Sequence, residues 1–244
     1  MLGLAPLGLY GIGFRVASVV TLVMQAFQGA MTPLIYSRYQ EVYAPAEIAR
    51  IFRFFVFCAL LVFVAMSLFA HEILVVLTAP TYHSAYIFVP FLVADQFLSG
   101  MYVFAPGLAI VKKTKYIAVI NVCGATFSVL ITILLVYGMG LLGAAVAAVS
   151  KSLVMFMVQM KYSQKYYRVS HNYIHLVLSL FTSAIFVSLG FAADIIFPLF
   201  LCAIFKSLLF CLCFSTLVFI GLFGRSEIFY YLKMFLKMLR NKYD

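Results

Sequence analysis

An all-α, polytopic transmembrane bundle of about seven spans is the fold class this sequence predicts, on three observations. Of 244 residues, 66% are hydrophobic and only 10% are charged, against roughly a quarter charged in soluble domains, and mean hydropathy is +1.13. The apolar runs continue for about 20 residues or more, which a helix needs to cross roughly 30 Å of hydrocarbon at about 1.5 Å per residue. They lack the period-2 alternation that marks the strands of a membrane barrel.

The elements follow from the short polar joints. The first span, about 10–36, ends at "SRYQEVYAPAEIAR", and the second covers about 51–70. The joint "HEILVVLTAPTYHS" precedes the third, about 85–110, and "KKTK" precedes the fourth, about 116–136. "YGMG" separates this from the fifth, about 141–160, and "KYSQKYYRVSHN" leads to the sixth, about 173–193. After "AADIIF" comes the seventh, about 197–222. The expected organisation is five helices in 1–160, two further helices in 161–224 and a basic amphipathic tail in 225–244. In that tail Ile228, Leu232, Phe235, Leu236 and Leu239 share one arc, with Lys233, Lys237 and Arg240 opposite, as suits a helix lying on a leaflet.

Charge orients the bundle. Arg38, Arg50, Arg53, Lys112, Lys113, Lys115, Lys161, Lys165, Arg168, Arg225, Lys233, Lys237, Arg240 and Lys242 fall on one side, 14 of the 17 basic residues, and none falls on the other. The positive-inside rule makes the first side cytoplasmic, with the N-terminus outside and the C-terminus inside. The net charge of +10 then reports topology and contact with anionic membrane lipid; spread over loops and a tail, it does not point to nucleic acid. "MLGLAPLGLYGIG" has no basic n-region and no cleavage site, so it is not a signal peptide. An uncharged start on the outer face leads us to expect a truncated chain that lacks a preceding helix.

Chemistry finds no foothold. The sequence has no G-x-S-x-G, P-loop or H-E-x-x-H motif, and no paired carboxylates within one segment, so neither an enzyme nor a catalytic residue is expected. The cysteines Cys58, Cys123, Cys202, Cys211 and Cys213 lie in apolar spans, and Cys211-x-Cys213 sets its thiols about 200° apart on a helix. They read as buried hydrophobes. His71, His83, His171 and His175 lie in or beside loops; His171 and His175 have i, i+4 spacing without an accompanying carboxylate or Cys, so no metal is expected.

The informative residues are the polar ones inside spans. A lysine at the centre of a transmembrane helix costs about 3 kcal/mol on an insertion scale, so each must meet a partner or water. Three basic residues qualify: Arg15, Lys151 and Lys206. With Arg15 at 0°, Ser18, Thr21, Gln25, Gln28 and Thr32 fall between roughly 220° and 300°. This stripe should look onto protein or a water-filled cavity, and we assign Arg15, Gln25 and Gln28 to the cavity. Lys151 lies about 15 Å from either end of its helix, beyond easy reach of an interface; Gly143, Ala144, Ala147 and Ala148 before it allow close helix approach. Lys206 is similarly deep and is a further cavity candidate. Asp95 is the only acidic residue read as deep in a span, with Ser99, Tyr102 and Pro106 on its face. It must be paired, with Arg15, Lys151 or Lys206, or titrate as a proton relay, or sit at a wet rim.

Two stretches carry a family likeness. "LGLYGIGFRVASVVTLVMQAFQGAMTPLIYSRYQEVYAPAEIARIFRFFVF" joins a G-x-Y-G start and an Arg to a long helix ending in Pro and an amphipathic loop. "LTAPTYHSAYIFVPFLVADQFLSGMYVFAPGLAIVKKTKYIAVINVCGATFSVLITILLVYGMGLLGAAVAAVSKSLV" ends in a "GLLGAAVA" helix opening. Together they resemble polysaccharide biosynthesis membrane proteins, the O-antigen flippases of the multidrug, oligosaccharidyl-lipid and polysaccharide exporter superfamily. The likeness covers about residues 1–170, and the last two spans match only in being hydrophobic.

The resemblance implies two six-helix bundles facing a central cavity, of which this chain would hold five helices of the second plus two extra ones, with the amino-terminal bundle missing. It implies a bacterial inner-membrane flippase that carries an undecaprenyl-diphosphate-linked oligosaccharide to the periplasmic leaflet for surface polysaccharide such as lipopolysaccharide. A chain of seven spans is then expected to be inactive unless the missing bundle is supplied. In that setting Arg15 and Lys151 attract the diphosphate or acidic sugars, and Gln25, Gln28 and Asn121 hydrogen-bond hydroxyls. Asp95 sets the local charge or couples to an ion, H+ or Na+; no other cofactor is implied. Two rivals make different demands. A drug or cation antiporter of the same superfamily should favour intramembrane carboxylates, yet basic residues outnumber acidic ones three to one. A polymerase or ligase of the same glycan pathway needs a large outer loop bearing catalytic side chains, and the longest here is about 14 residues without Arg.

Overall fold

Proline and glycine interrupt some apolar runs and not others: Pro33 lies inside an unbroken helix. The computed structural model describes residues 3–169, 173–196 and 198–220; the expected tail at 225–244 and His171 lie outside them. Among the described residues there are only helices: α1 (Leu4–Arg38), α2 (Ala44–Leu68), α3 (Ala70–Leu77), α4 (Val89–Gly100), α5 (Gly107–Ile110), α6 (Thr114–Tyr166), α7 (Tyr173–Ile196) and α8 (Leu199–Phe219), with 3-10 turns at Pro80–Ile87 and Met101–Phe104. Six segments among them are long and apolar enough to cross a membrane, and the chain is a polytopic helical membrane protein.

One of the six, α6, is 53 residues long, and Gly140 interrupts it with φ 61° and ψ −134°. That backbone is open to glycine and strained for any L-residue. The two halves, 114–139 and 141–166, run antiparallel and touch at residue pairs equidistant from Gly140 to within two positions. The rings of Tyr116 and Tyr162 are 6.3 Å apart, Lys113 Nζ donates to the Tyr166 hydroxyl at 3.1 Å, and a Cβ on Gly124 would meet the Met155 side chain. The single element is thus the fourth and fifth expected spans, folded at "YGMG". Gly140→Ala should lower the stability of the detergent-solubilised protein by about 1–3 kcal/mol. An unchanged unfolding midpoint in a denaturing-detergent titration would count against that strain.

Two expectations need correction. The third span is not one helix over 85–110. Pro90 opens α4 in its first turn, α4 ends after 12 residues at Gly100, and a 3-10 turn follows. Ala105, forced out of the helical region by Pro106, has φ −113° and ψ 56°. The helical angle linking Asp95 to Pro106 therefore does not apply. Nor is "HEILVVLTAPTYHS" a plain loop, because it forms α3 and a 3-10 turn.

The chain divides into two compact units. The first comprises Met1–Ala49 and Val62–Ser170. Its central helix is α4, which contacts α1 on one side and α6 on the other and buries Val89, Leu92, Val93 and Phe97. A glycine at position 100 lets α1 come close, since a Cβ there would collide with Met24 and Gln28. The broken stretch after α4 is covered by α1 through Phe27, whose ring lies 5.6 Å from that of buried Phe104. Ile35, Ile48, Ala49, Val103 and Val169 form a small core at one end of this unit.

The second unit comprises Arg50–Leu61 and His171–Asp244. In it α7 contacts α8, and Phe57 of α2 stacks edge-on with Phe214 of α8 at 6.0 Å.

Candidate functional site

Neighbouring residues on a helix point about 100° apart, so α4 addresses two partners with consecutive polar side chains. Gln96 turns to α1, where Thr21 Oγ1 donates to its Oε1 at 2.9 Å. Asp95 turns to α6. There Ser152 Oγ donates to Asp95 Oδ1 at 2.5 Å, and Lys151 Nζ lies 3.4 Å from the same oxygen. The serine bond is as short as a charge-assisted O–H···O⁻ contact becomes, whereas the lysine contact exceeds the 2.7–2.9 Å usual for N⁺–H···O⁻. Ser150, two residues before Ser152, instead back-bonds to the Val146 carbonyl at 2.8 Å, the ordinary fate of a serine in an apolar helix.

Between α4 and the two halves of α6 lies a cavity of about 760 Å³. Its polar lining is Ser99 and Tyr102 from the end of α4 and the following turn, Asn121 and Ser128 from 114–139, and Lys151, Ser152 and Gln159 from 141–166. Lys151 is the one charged residue in the lining, and Asp95 stands behind the wall. Side-chain exposure agrees: 31% for Lys151 and 12% for Asp95. Along the hairpin the cavity reaches from Val129 to Ile117 on one half and from Lys151 to Gln159 on the other, about 18 Å and about 12 Å by helical rise. It therefore occupies the half nearer Lys112, Lys113, Lys115, Lys161 and Lys165, with Lys151 at the limit farthest from that lysine-rich end.

The expected site residues divide accordingly. Asp95 and Lys151 meet, and Asn121 joins Lys151 in the cavity wall. Gln28 lies at the edge: its Nε2 donates to the Gly100 carbonyl at 2.9 Å, and its Oε1 accepts from the Tyr102 hydroxyl at 3.3 Å. Gln28, read as cavity-facing, is thus spent on tying α1 to α4, because the missing side chain at position 100 brings the carbonyl within reach. Arg15 and Gln25 are exposed on α1 and do not line the cavity.

Lys206 belongs to the second unit and not to this cavity. It is wholly buried, with Nζ 2.6 Å from Asp194 Oδ1, and the Cys202 thiol donates to the same oxygen at 3.3 Å. By hydropathy Asp194 falls in the joint "AADIIF", which leaves Asp95 as the only deep acid. Helix α7 runs on to Ile196, which brings Asp194 inside it.

Sequence reasoning missed Ser152, although it adjoins Lys151. The available signal was a second hydroxyl two positions after Ser150 that a single helix could not aim at the same partner. It also missed Gln159 and Ser128, each a lone polar residue in an apolar run.

Comparison with protein-family models, curated proteins and solved structures finds no match.

Proposed function

We propose that the chain is a membrane carrier for an anionic, lipid-linked head group, in the class of lipid-linked oligosaccharide flippases that its sequence resembles. The observation that carries this reading is the cavity whose one charged lining residue is a lysine amid hydroxyls and amides. A diphosphate needs a cation at depth, sugar hydroxyls need hydrogen-bond partners, and a prenyl tail can stay in lipid. The cavity lies toward the lysine-rich end, which the positive-inside rule makes cytoplasmic, so the head group would enter from that leaflet of a bacterial inner membrane. A second bundle, as the resemblance implies, would face this one, and alternating access would rock the two. A cation antiporter fits less well, because Asp95 stands behind the wall and not in the lining.

Binding in nanodiscs tests the reading. A fluorescent polyprenyl-diphosphate disaccharide should bind, and Lys151→Ala should weaken it about 10- to 100-fold, the worth of one hydrogen bond to a charged group. Binding of a lipophilic cation in its place, insensitive to Lys151→Ala, would reject it.

A further inference from the structure

We propose that Asp95 is a built-in competitor for the cavity's anionic ligand, holding Lys151 against the wall while the cavity is empty and surrendering it to a phosphate. The inference rests on the reading of the cavity as an anion site and adds a device that sets its affinity and release. It comes from the unequal way in which one carboxylate oxygen is shared. Ser152 takes it at 2.5 Å and Lys151 at 3.4 Å.

A second membrane-embedded pair provides a scale. Lys206 and Asp194 meet at 2.6 Å with the lysine sealed from solvent, the geometry of a pair that stays closed. Lys151 is held more loosely and is nearly a third exposed, on the side where a ligand would arrive. Its flexible four-carbon stem lets the ammonium turn from the wall into the cavity without moving the helix. Asp95 does not lose its last partner when that happens, because the serine hydroxyl stays on Oδ1. A phosphate brings several anionic oxygens, none of them committed to a serine, and so displaces the carboxylate from the lysine.

Two consequences follow for a carrier. While Lys151 rests on Asp95 the empty cavity holds no bare cation, which would be costly where water is scarce. The ligand's affinity is also reduced by the fraction of time Lys151 spends on Asp95, and recapture of the lysine speeds release.

The test uses the full chain in zwitterionic nanodiscs, with the fluorescent polyprenyl-diphosphate disaccharide as probe. Asp95→Asn keeps an acceptor for Ser152 but removes the competing charge, and should tighten Kd about five- to tenfold with slower dissociation. Ser152→Ala should act in the opposite sense, because the carboxylate freed of its hydroxyl grips the lysine harder; Kd should rise several-fold. Asp95→Asn should have no effect on a Lys151→Gln background.

A readout without ligand accompanies these. Acylation of Lys151 by a membrane-permeant amine-reactive ester, measured by mass spectrometry, should rise several-fold in Asp95→Asn and fall in Ser152→Ala. Wild-type binding with equal or weaker binding by Asp95→Asn overturns the competitor role alone. Absence of binding by wild type and Asp95→Asn alike overturns the anion-site reading and the competitor with it. Unchanged acylation in both variants overturns the competitor role whatever binds. If Asp95→Asn fails to accumulate in the membrane, Ser152→Ala carries the test: tighter binding there contradicts the proposal.

Discussion

Gly143→Val should abolish the folded hairpin. A Cβ at position 143 would stand 2.0 Å from the Leu135 carbonyl oxygen and 2.4 Å from its carbon, both backbone atoms that cannot turn aside. The first turn of 141–166 must then move off the last turns of 114–139, at a cost of about 3 kcal/mol or more. The two halves carry opposite walls of the cavity, so binding should fail together with stability. Neighbouring glycines supply controls. Gly138 has open space around its missing Cβ, and Gly138→Ala should be nearly silent. At Gly124 the obstruction is the flexible Met155 side chain, and Gly124→Ala should cost only about 1 kcal/mol. Membrane abundance and denaturing-detergent unfolding of the three variants check the order. A Gly143→Val protein as stable as wild type would reject this account of the hairpin.

Lys206→Met should destabilise the second unit by about 3–5 kcal/mol, the cost of stranding one member of a buried ion pair. The lysine side chain is completely buried, and the Asp194 side chain is only 11% exposed; the Cys202 thiol that also donates to Asp194 Oδ1 is a weak donor and does not replace an ammonium. The double substitution Lys206→Met with Asp194→Leu removes both charges and should recover much of the loss. Lys151→Ala should cost about 1 kcal/mol or less, because its pair is loose and faces the cavity. Equal losses at the two lysines, read from unfolding midpoints, would refute the distinction drawn between a sealed pair and a releasable one.

These contrasts show which parts of the molecule are legible in its residues. The spans are, because hydropathy over about 20 residues is a local property, and so is the fold at "YGMG", where two glycines one residue apart interrupt the apolar run. The break after Gly100 is not, because an apolar run containing Gly100 and Pro106 reads equally as a kinked helix and as two short ones; packing against α1 decides. Lys151 could be recognised as costly from its depth, and Asp95 was one of its named alternatives. The selection among Arg15, Lys151 and Lys206 is a tertiary matter, which follows from α4 standing between α1 and α6. Asp194 was missed because a helix end lies three residues further on than hydropathy placed it, and three residues are enough to carry a carboxylate from a joint into a span.

The interruption at 101–106 makes α4 a jointed rod. With 12 residues it is about 18 Å long, short of the roughly 30 Å of hydrocarbon. Either side of the joint is pinned to a different neighbour: the Gly100 carbonyl to Gln28 of α1, and the Gly107 amide to the Ser163 hydroxyl of α6 at 2.8 Å. Leu98 and Ser99 lie on the α1 side of that joint, and the cavity wall opposite them belongs to α6. The cavity-lining end of α4 is therefore fastened at two points, one on α1 and one on α6, and the Gly100 carbonyl and the Gly107 amide find side chains in place of water.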